Sequence, residues 1–215
     1  MLTKYGYTTI GIAAIISFIL LVISIFSQSG YVKYPLVFLA LFIMVFTLNF
    51  FRDPERISPK NDNVIVSPAD GKVLLIKEVV DERFVNEEAW QVSVFMSPLN
   101  VHVNRIPIDG KVDYLQYIKG EYLVAYHDKA DSRNERSEIG ITSKHGKVLF
   151  TQVAGMVARR IVYDLKEGDS VKMGNRFGMI RFGSRVDVVV PKKWKLNVKV
   201  NDLTKAGETI LFKLD

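Results

Sequence analysis

Two long uncharged segments open the chain, TTIGIAAIISFILLVISIF at 8–26 and YPLVFLALFIMVFTLNFF at 34–51. A helix of 19 residues is about 28 Å long at 1.5 Å per residue, close to the thickness of the bilayer hydrocarbon core. Pro35 is suitably placed for a first helical turn. Because both segments are apolar on all faces, the pattern predicts a transmembrane helical hairpin at 1–51 rather than two helices of a soluble domain.

The charges around the hairpin predict its orientation. A cleavable signal peptide would account for the first segment alone, but no small-residue cleavage site follows it and a second apolar segment does. Lys4 precedes the hairpin and Lys33 lies between its helices, whereas Arg52, Arg56 and Lys60 follow it. The positive-inside rule then puts both ends in the cytoplasm, so we expect a cell-membrane protein whose second domain faces the cytoplasm.

After a charged, proline-containing linker, FRDPERISPKND at 51–62, the hydrophobic pattern becomes β-like. Short apolar stretches alternate with turn signals such as PADG, SPLN and IDG. A weak echo links the segment from Glu167 to the segment from Val200, since an Asp precedes a Gly by five residues in each. The prediction is therefore mainly β: a compact barrel or sandwich at 52–215, resembling the hammerhead of lipoyl and biotinyl carriers.

Composition narrows the function classes. The chain has no cysteine, which excludes disulfides, thiol catalysis and thiolate metal sites. Its three histidines form no HxH or HExxH pattern, so we expect no metal. The net charge of +6 comes from scattered basic residues, which favours an anionic membrane surface over nucleic acid as the partner.

One strand carries an unexpected interruption. In GMIRFGSRVDVVVP, at 178–191, Gly183 and Ser184 interrupt a β-like run although strand interiors disfavour glycine. No GxSxG elbow surrounds this serine, and no histidine follows it in the chain. If Ser184 is a nucleophile, its target need not be an external substrate.

The motifs around this serine resemble those of the short, membrane-anchored phosphatidylserine decarboxylases, an archaeal-like group of pyruvoyl-dependent enzymes. Archaetidylserine decarboxylases share the short pattern, so the headgroup is better specified than the lipid tail. The matching segments cover nearly the whole chain in order: FFRDPER (50–56), SPADGKV (67–73), FMSPLNVHVNRIP (95–107), NER (134–136), VAGMVARRIV (153–162) and GDSVKMGNRFGMIRFGSRVD (168–187).

The resemblance implies a self-processing proenzyme. The Ser184 hydroxyl would attack the Gly183 carbonyl, and β-elimination of the resulting ester would separate residues 1–183 from 184–215. Ser184 would become a pyruvoyl group, whose carbonyl condenses with the substrate amine and accepts the electrons released with CO2. Gly183, lacking a Cβ, allows the strained turn that this attack needs. The implied reaction converts phosphatidylserine to phosphatidylethanolamine.

The resemblance also assigns roles to His102, Arg105 and Asp70. His102 would donate the proton that replaces the lost carboxylate, since histidine titrates near neutrality. Longer relatives have HxxH where this chain has HxxR, so Arg105 would instead bind the substrate carboxylate or phosphate. With the second histidine missing, Asp70 is the candidate base that activates Ser184. Of the neighbouring Arg159 and Arg160, one would face the lipid phosphate.

Other functions remain as alternatives. SVKMG, at 170–174, faintly resembles a carrier motif with a modified Lys172, which would indicate a membrane-tethered lipoyl- or biotinyl-like binding module. A membrane-tethered adaptor domain is a second non-enzyme alternative. The expected partners are a phospholipid membrane, phosphatidylserine and the two chains of one proenzyme, and the sequence does not decide between a monomer and a homo-oligomer.

Overall fold

The computed structural model describes residues 1–121, 134–155, 161–180 and 184–214. After a 3₁₀ turn at Lys4–Gly6 come helices α1 (Tyr7–Phe26) and α2 (Gly30–Phe50). The strands that follow are β1 (Val64–Val66), β2 (Gly71–Asp81), β3 (Glu87–Met96), β4 (Val103–Arg105), β5 (Gly110–Ile118), β6 (Arg136–Ser143), β7 (Gly146–Ala154), β8 (Ile161–Tyr163), β9 (Ser170–Val171), β10 (Arg176–Ile180), β11 (Ser184–Pro191), β12 (Lys195–Leu196), β13 (Leu203–Thr204) and β14 (Ile210–Lys213). The prediction of two apolar helices followed by a mainly β domain is confirmed.

Both helices are long and apolar enough to cross a membrane. They pack on each other through small residues, and the Ser17 hydroxyl donates to the Ala40 carbonyl oxygen at 3.1 Å. α2 begins at Gly30, earlier than the predicted start at Tyr34, so Pro35 lies inside the helix rather than in its first turn. Because proline lacks an N–H and the helix continues through it, only the backbone carbonyl one turn earlier loses its partner.

The chain divides into two compact units, Met1–Glu55 and Arg56–Asp215. In the second unit, the described strands form one eight-stranded antiparallel sheet in the order β13-β2-β3-β11-β7-β6-β5-β9, and two three-stranded sheets, β1-β14-β12 and β4-β10-β8. The order of the large sheet is palindromic: β13 corresponds to β9, β2 to β5, β3 to β6 and β11 to β7. The two small sheets correspond in the same way, so the domain is an internal twofold repeat.

The first pair of equivalent strands shows how closely the halves agree. PADGKV at 68–73 leads into β2, and PIDGKV at 107–112 leads into β5. Both strands have a register shift two residues after their lysine, between Val73 and Leu75 and between Val112 and Tyr114. A Cβ on either opening glycine, Gly71 or Gly110, would collide with a carbonyl oxygen of the neighbouring strand, so both positions need glycine.

The echo between residues 167 and 200 is the second part of this repeat, and the structure confirms it. Asp169 and Asp202 each accept the backbone N–H of the lysine three residues earlier, at 2.8 Å. Gly174 and Gly207, five residues later, have φ of +81° and +75°, a conformation that glycine adopts without steric cost. Equivalent turns therefore precede β10 and β14.

The main hydrophobic core lies between the inner face of the large sheet and the small sheets. Val186, Val188 and Val190 of β11 point into it, together with Phe150, Phe177 and Phe212. The outer face carries a second, smaller apolar cluster around Phe84, Leu149 and Val189. Since successive residues of a strand alternate between faces, β11 contributes to both clusters and is buried along its whole length.

An ionic group borders the second cluster. Arg83 bridges the buried carboxylates of Asp81 and Glu138 at 2.7 and 3.0 Å, and the Tyr114 hydroxyl lies 3.0 Å from Glu138 Oε2. The two carboxylates hold the pKa of Arg83 above its usual range despite the opposing effect of burial. Burial, reinforced by the contact with Glu138, raises the pKa of Tyr114 to about 12.

Candidate functional site

Ser184 lies at one end of the strands of the large sheet, where β2 and β11 begin and β3 and β7 end. Its register partners are Met96 on β3 and Ala154 on β7. We call this row of strand ends the serine edge, and it is marked by Gly71, Met96, Ala154 and Ser184. The opposite end of the same strands, marked by Asp81, Glu87, Gly146 and Pro191, is the far edge. The predicted nucleophile is thus the first residue of a central strand paired on both sides.

The Ser184 side chain is fully buried and points to the inner face of the sheet. Its hydroxyl donates to the Met96 thioether sulfur at 3.4 Å. A thioether is a weak acceptor, so this contact fixes the direction of the hydroxyl without removing its proton. Activation of Ser184 as a nucleophile therefore requires a stronger base.

A buried polar network that sequence reasoning missed reaches the same sulfur. Ser137 Oγ donates to Gln152 Oε1, and Gln152 Nε2 donates to Asn104 Oδ1, both at 2.8 Å. Asn104 Nδ2 lies 3.3 Å from the Pro68 carbonyl oxygen and 3.8 Å from Met96 Sδ. The network joins β4, β6 and β7 to the PADG turn. Because its side chains are fully buried, it stabilises one arrangement of these elements.

His102 directly precedes β4, two residues before Asn104, and is completely buried. Its Nδ1 lies 2.9 Å from the Asn100 carbonyl oxygen. A carbonyl can only accept, so Nδ1 carries the hydrogen and a neutral ring presents Nε2 as its acceptor nitrogen. Residues two apart in an extended strand share a face, which puts His102 on the side of Asn104 and its Met96 contact.

Asp70 directly precedes β2 at the serine edge, and both of its oxygens have partners. Oδ1 accepts the Ala206 backbone N–H at 2.7 Å, and Oδ2 accepts from Arg56 Nη2 at 2.8 Å. Arg56 also bonds Glu208 at 3.3 Å, so it links the start of the domain to the turn before β14. Gly71 and Ser184 lie two strands apart, about 10 Å at the usual strand spacing, with the end of β3 between them.

The internal repeat supplies a counterpart of Asp70. Asp109, before β5, accepts the Met173 N–H at 2.5 Å, and Met173 precedes Gly174 as Ala206 precedes Gly207. The backbone contact of Asp70 is therefore a feature of the fold that occurs twice. Asp109 lines a pocket of about 110 Å³ with Asp62, Lys144 and His145, at the end of the sheet opposite to Ser184. The bond to Arg56 is the feature that distinguishes Asp70.

Arg105 lies three residues after His102, a spacing that puts the two side chains on opposite faces of an extended strand. Its Nη1 donates to the Gly174 carbonyl oxygen at 2.8 Å, and its side chain packs against Gly207. The structure thus brings together Ser184, Met96 and Asn104, with His102 on the same side, and directs Arg105 toward the glycine turns.

Arg185 and Asp187 anchor the strand on the face opposite to Ser184. Nε and Nη2 of Arg185 donate to the two carboxylate oxygens of Asp187, each at 2.8 Å. The pair is buried, and a buried charge is tolerated when its partner makes a bidentate contact of this kind. The pair holds the first residues of β11, directly after Ser184, in place.

Three predicted site residues, Gly183, Arg159 and Arg160, lie outside the described residues. Over the part of the chain that the structure describes, no three His, Asp or Glu side chains are grouped to hold a metal ion. Lys172, the residue of the carrier alternative, is exposed in the turn before Gly174.

Comparison with known proteins shows one family to which the chain is similar. A family model described as phosphatidylserine decarboxylase matches residues 43–212. A phosphatidylserine decarboxylase proenzyme of Chlorobium limicola is 47% identical over 211 residues, which cover 98% of this chain and 99% of that protein. Proteins of the same name from Salinibacter ruber and Chlorobaculum tepidum are 48% and 44% identical, covering 84% and 98% of this chain and 81% and 96% of those proteins.

Proposed function

The chain belongs to the phosphatidylserine decarboxylase family, and on this basis we propose that it is a self-cleaving proenzyme that converts phosphatidylserine to phosphatidylethanolamine. The observation that carries the proposal is the position of Ser184. It is a buried hydroxyl at the first residue of a central strand, and the bond before it is the proposed cleavage site. Cleavage there gives chains of residues 1–183 and 184–215.

The surroundings of Ser184 fit a pyruvoyl group made from it. The Ser184 oxygen attacks the Gly183 carbonyl and forms an ester. The Cβ–O bond then breaks, so that the oxygen leaves with the Gly183 acyl group. Water finally hydrolyses the remaining residue, and its nitrogen is released as ammonia. The pyruvoyl group supplies the carbonyl that accepts electrons during decarboxylation. β3 and β7 fix residue 184 from both sides, and the apolar Met96 and Ala154 beside it limit the access of water.

The other site residues divide the proton transfers between two steps. Asp70 serves as the base for the Ser184 proton in self-cleavage, and Arg56 orients its carboxylate. His102 delivers the proton that replaces the departing carboxylate, with the Asn100 carbonyl fixing its tautomer. Arg105, Arg159 and Arg160 stay candidates for binding the carboxylate or phosphate of the substrate.

The finer assignments rest on the sequence. The two helices anchor the enzyme as a hairpin at 1–51, with the domain at 52–215 on the cytoplasmic side of the cell membrane. The chain is assigned to the short, membrane-anchored, archaeal-like group within the family. Its lipid partner is a diacyl or archaeal phosphatidylserine, and its two chains stay together after cleavage.

Intact-mass analysis tests the proposal directly. The purified wild-type chain should contain a fragment of about 3.6 kDa, from 32 of the 215 residues of a 24.4 kDa protein, with a pyruvoyl N-terminus. Ser184→Ala should remain a single uncut chain that releases no CO2 from carboxyl-labelled phosphatidylserine, because alanine offers neither nucleophile nor leaving group. Cleavage at Gly183 in the alanine variant would disprove the role of Ser184.

A further inference from the structure

Three exposed apolar side chains are spaced along the serine edge. Leu203, on the outermost strand β13, is 79% exposed, and Leu99, in the turn after β3, is 69% exposed. Tyr117, at the end of β5, is 45% exposed. Six strand spacings separate Leu203 from Tyr117, about 29 Å along the sheet, and Leu99 lies between them. Exposed large apolar side chains beside a functional site are candidates for contact with a membrane or a partner.

The internal repeat provides a comparison within one molecule. The counterpart of Leu203 at the far edge is Ser170 on β9, which is also exposed. The turn after β6, the counterpart of the turn with Leu99, presents Lys144 and His145. The same fold therefore has two equivalent edges, and the leucines are present at the edge that contains Ser184. Among the described residues near the far edge, Val80 is the strongly exposed apolar one, at 66%.

Lysines accompany the apolar side chains. Lys72 is the cross-strand partner of Leu203, Lys205 follows Leu203 by two residues, and Lys119 follows Tyr117 by two. All three lysines are exposed. Of the residues that the structure describes, Glu121 and Asp202 are exposed carboxylates on the same edge, and Asp202 accepts the Lys199 backbone N–H. Leucines beside lysines, with a tyrosine, suit the interface of an anionic bilayer, where apolar tips enter and ammonium groups reach phosphates.

We propose that the serine edge docks on the surface of an anionic phospholipid bilayer through Leu99, Leu203 and Tyr117. The proposal rests on the proposed function, since a lipid substrate has to reach Ser184 from the membrane. Five residues, 51–55, separate the end of α2 from the second unit, and Phe51 and Asp53 are bonded to the N-terminal residues, so the chain between α2 and the domain is short. Docking of this edge gives the lipid headgroup a path to Ser184 that keeps its acyl chains in the bilayer.

The absence of cysteine allows a direct test in the full-length chain. Leu99→Cys and Leu203→Cys, with Ser170→Cys and Val80→Cys as matched controls, are labelled with a fluorophore and reconstituted into vesicles of phosphatidylcholine and phosphatidylglycerol. We expect quenchers carried on lipid chains to quench the labels at 99 and 203, and a water-soluble quencher to reach those at 170 and 80. Equal access of the water-soluble quencher to all four labels would overturn the proposal. Labels at 99 and 203 that escape both quenchers would also overturn it, since they would indicate a protein partner such as a second copy.

A second arm separates this proposal from the proposed function. Leu99→Ser combined with Leu203→Ser should lower kcat/KM for long-chain phosphatidylserine in vesicles about tenfold or more. The reason is that the double variant loses the favourable free energy of moving two leucine side chains from water into the bilayer. Self-cleavage and turnover of a water-soluble short-chain phosphatidylserine should be unchanged. Equal rates of the double variant and the wild type on vesicles would count against docking. Failure of the wild type to decarboxylate either lipid would reject the proposed function, while the quenching result would still decide the docking proposal.

Discussion

Asp70 and its counterpart Asp109 allow the chemical role of one carboxylate to be separated from its structural role. Asp70→Asn and Asp109→Asn each keep an oxygen that can accept the backbone N–H now bound, from Ala206 or Met173. Each variant replaces a charge-assisted hydrogen bond by a neutral one, a loss of about 1 kcal/mol. Asp70→Asn also loses the ion pair with Arg56, and because Arg56 keeps Glu208, we expect about 1 kcal/mol more.

These losses are too small to prevent folding. A domain stable by about 5–15 kcal/mol remains almost entirely folded after losing about 2 kcal/mol. The melting temperature should fall by about 2–4 °C in Asp109→Asn and by about twice as much in Asp70→Asn. If Asp70 is the base for Ser184, its amide should slow cleavage by about 10²–10⁴-fold, because an amide cannot take the proton. Asp109→Asn should be cut at nearly the wild-type rate.

The assay follows cleavage in time after synthesis of the full-length chain, using the ratio of cut to uncut bands on denaturing gels. Melting temperatures are measured in a Ser184→Ala background, so that all proteins compared are uncut. The reasoning is refuted if Asp70→Asn and Asp109→Asn are cut at similar rates. Equal slowing of both would show that the turn contact matters, and normal cleavage of both would mean that Ser184 has another base.

Three further expectations concern other parts of the domain. His102→Ala should be cut normally but release CO2 from labelled phosphatidylserine about 10²–10⁴-fold more slowly, and an uncut protein would mean that His102 serves self-cleavage instead. Gln152→Leu removes the partner of the Ser137 hydroxyl and of Asn104 Oδ1 in the interior and should lower stability in urea unfolding by about 1–3 kcal/mol for each atom, whereas an unchanged midpoint would show that the network is not stabilising. The pKa of Tyr114 is raised from 10.0 to about 12, so the stability that its neutral form contributes should be complete below pH 10 and lost as the pH rises toward 12. The difference in absorbance at 295 nm between wild type and Tyr114→Phe measures that titration, and a midpoint near pH 10 would contradict the raised pKa.

The sequence was sufficient for the elements whose signals are local. Uncharged runs of helical length predicted both helices, and the Val run closed by Pro191 predicted β11. The predicted start of α2 is four residues late because the polar serines indicate a turn, which the prediction extends to Lys33. Tyr31, Val32 and Lys33 have no helix-breaking character, and α2 includes all three. Propensity alone does not locate such a boundary.

Long-range features were harder to predict. The repeat of PADGKV and PIDGKV is visible in the sequence, but short turn motifs recur by chance, and only the palindromic strand order shows that the two are equivalent. The network of Asn104, Gln152 and Ser137 joins residues up to 48 positions apart, and each is an ordinary polar residue on its own strand. The bond between Arg56 and Asp70 depends on how the linker folds back, which periodicity does not report.

The central position of β11 affects how the protein can refold once it has been cut. Strands β11 to β14, all within residues 184–214, contribute a middle strand and one border strand to the large sheet and two of three strands to one small sheet. A cut before Ser184 therefore leaves a short peptide woven through two sheets of the longer chain, held by backbone bonds on both sides of β11. Before the cut, one continuous chain brings these strands together; after it, reassembly would require two separate molecules to meet. In the uncut precursor the covalent connection keeps these strands together during folding. We therefore expect the precursor to refold when the denaturant is diluted, and the cut protein to remain unfolded.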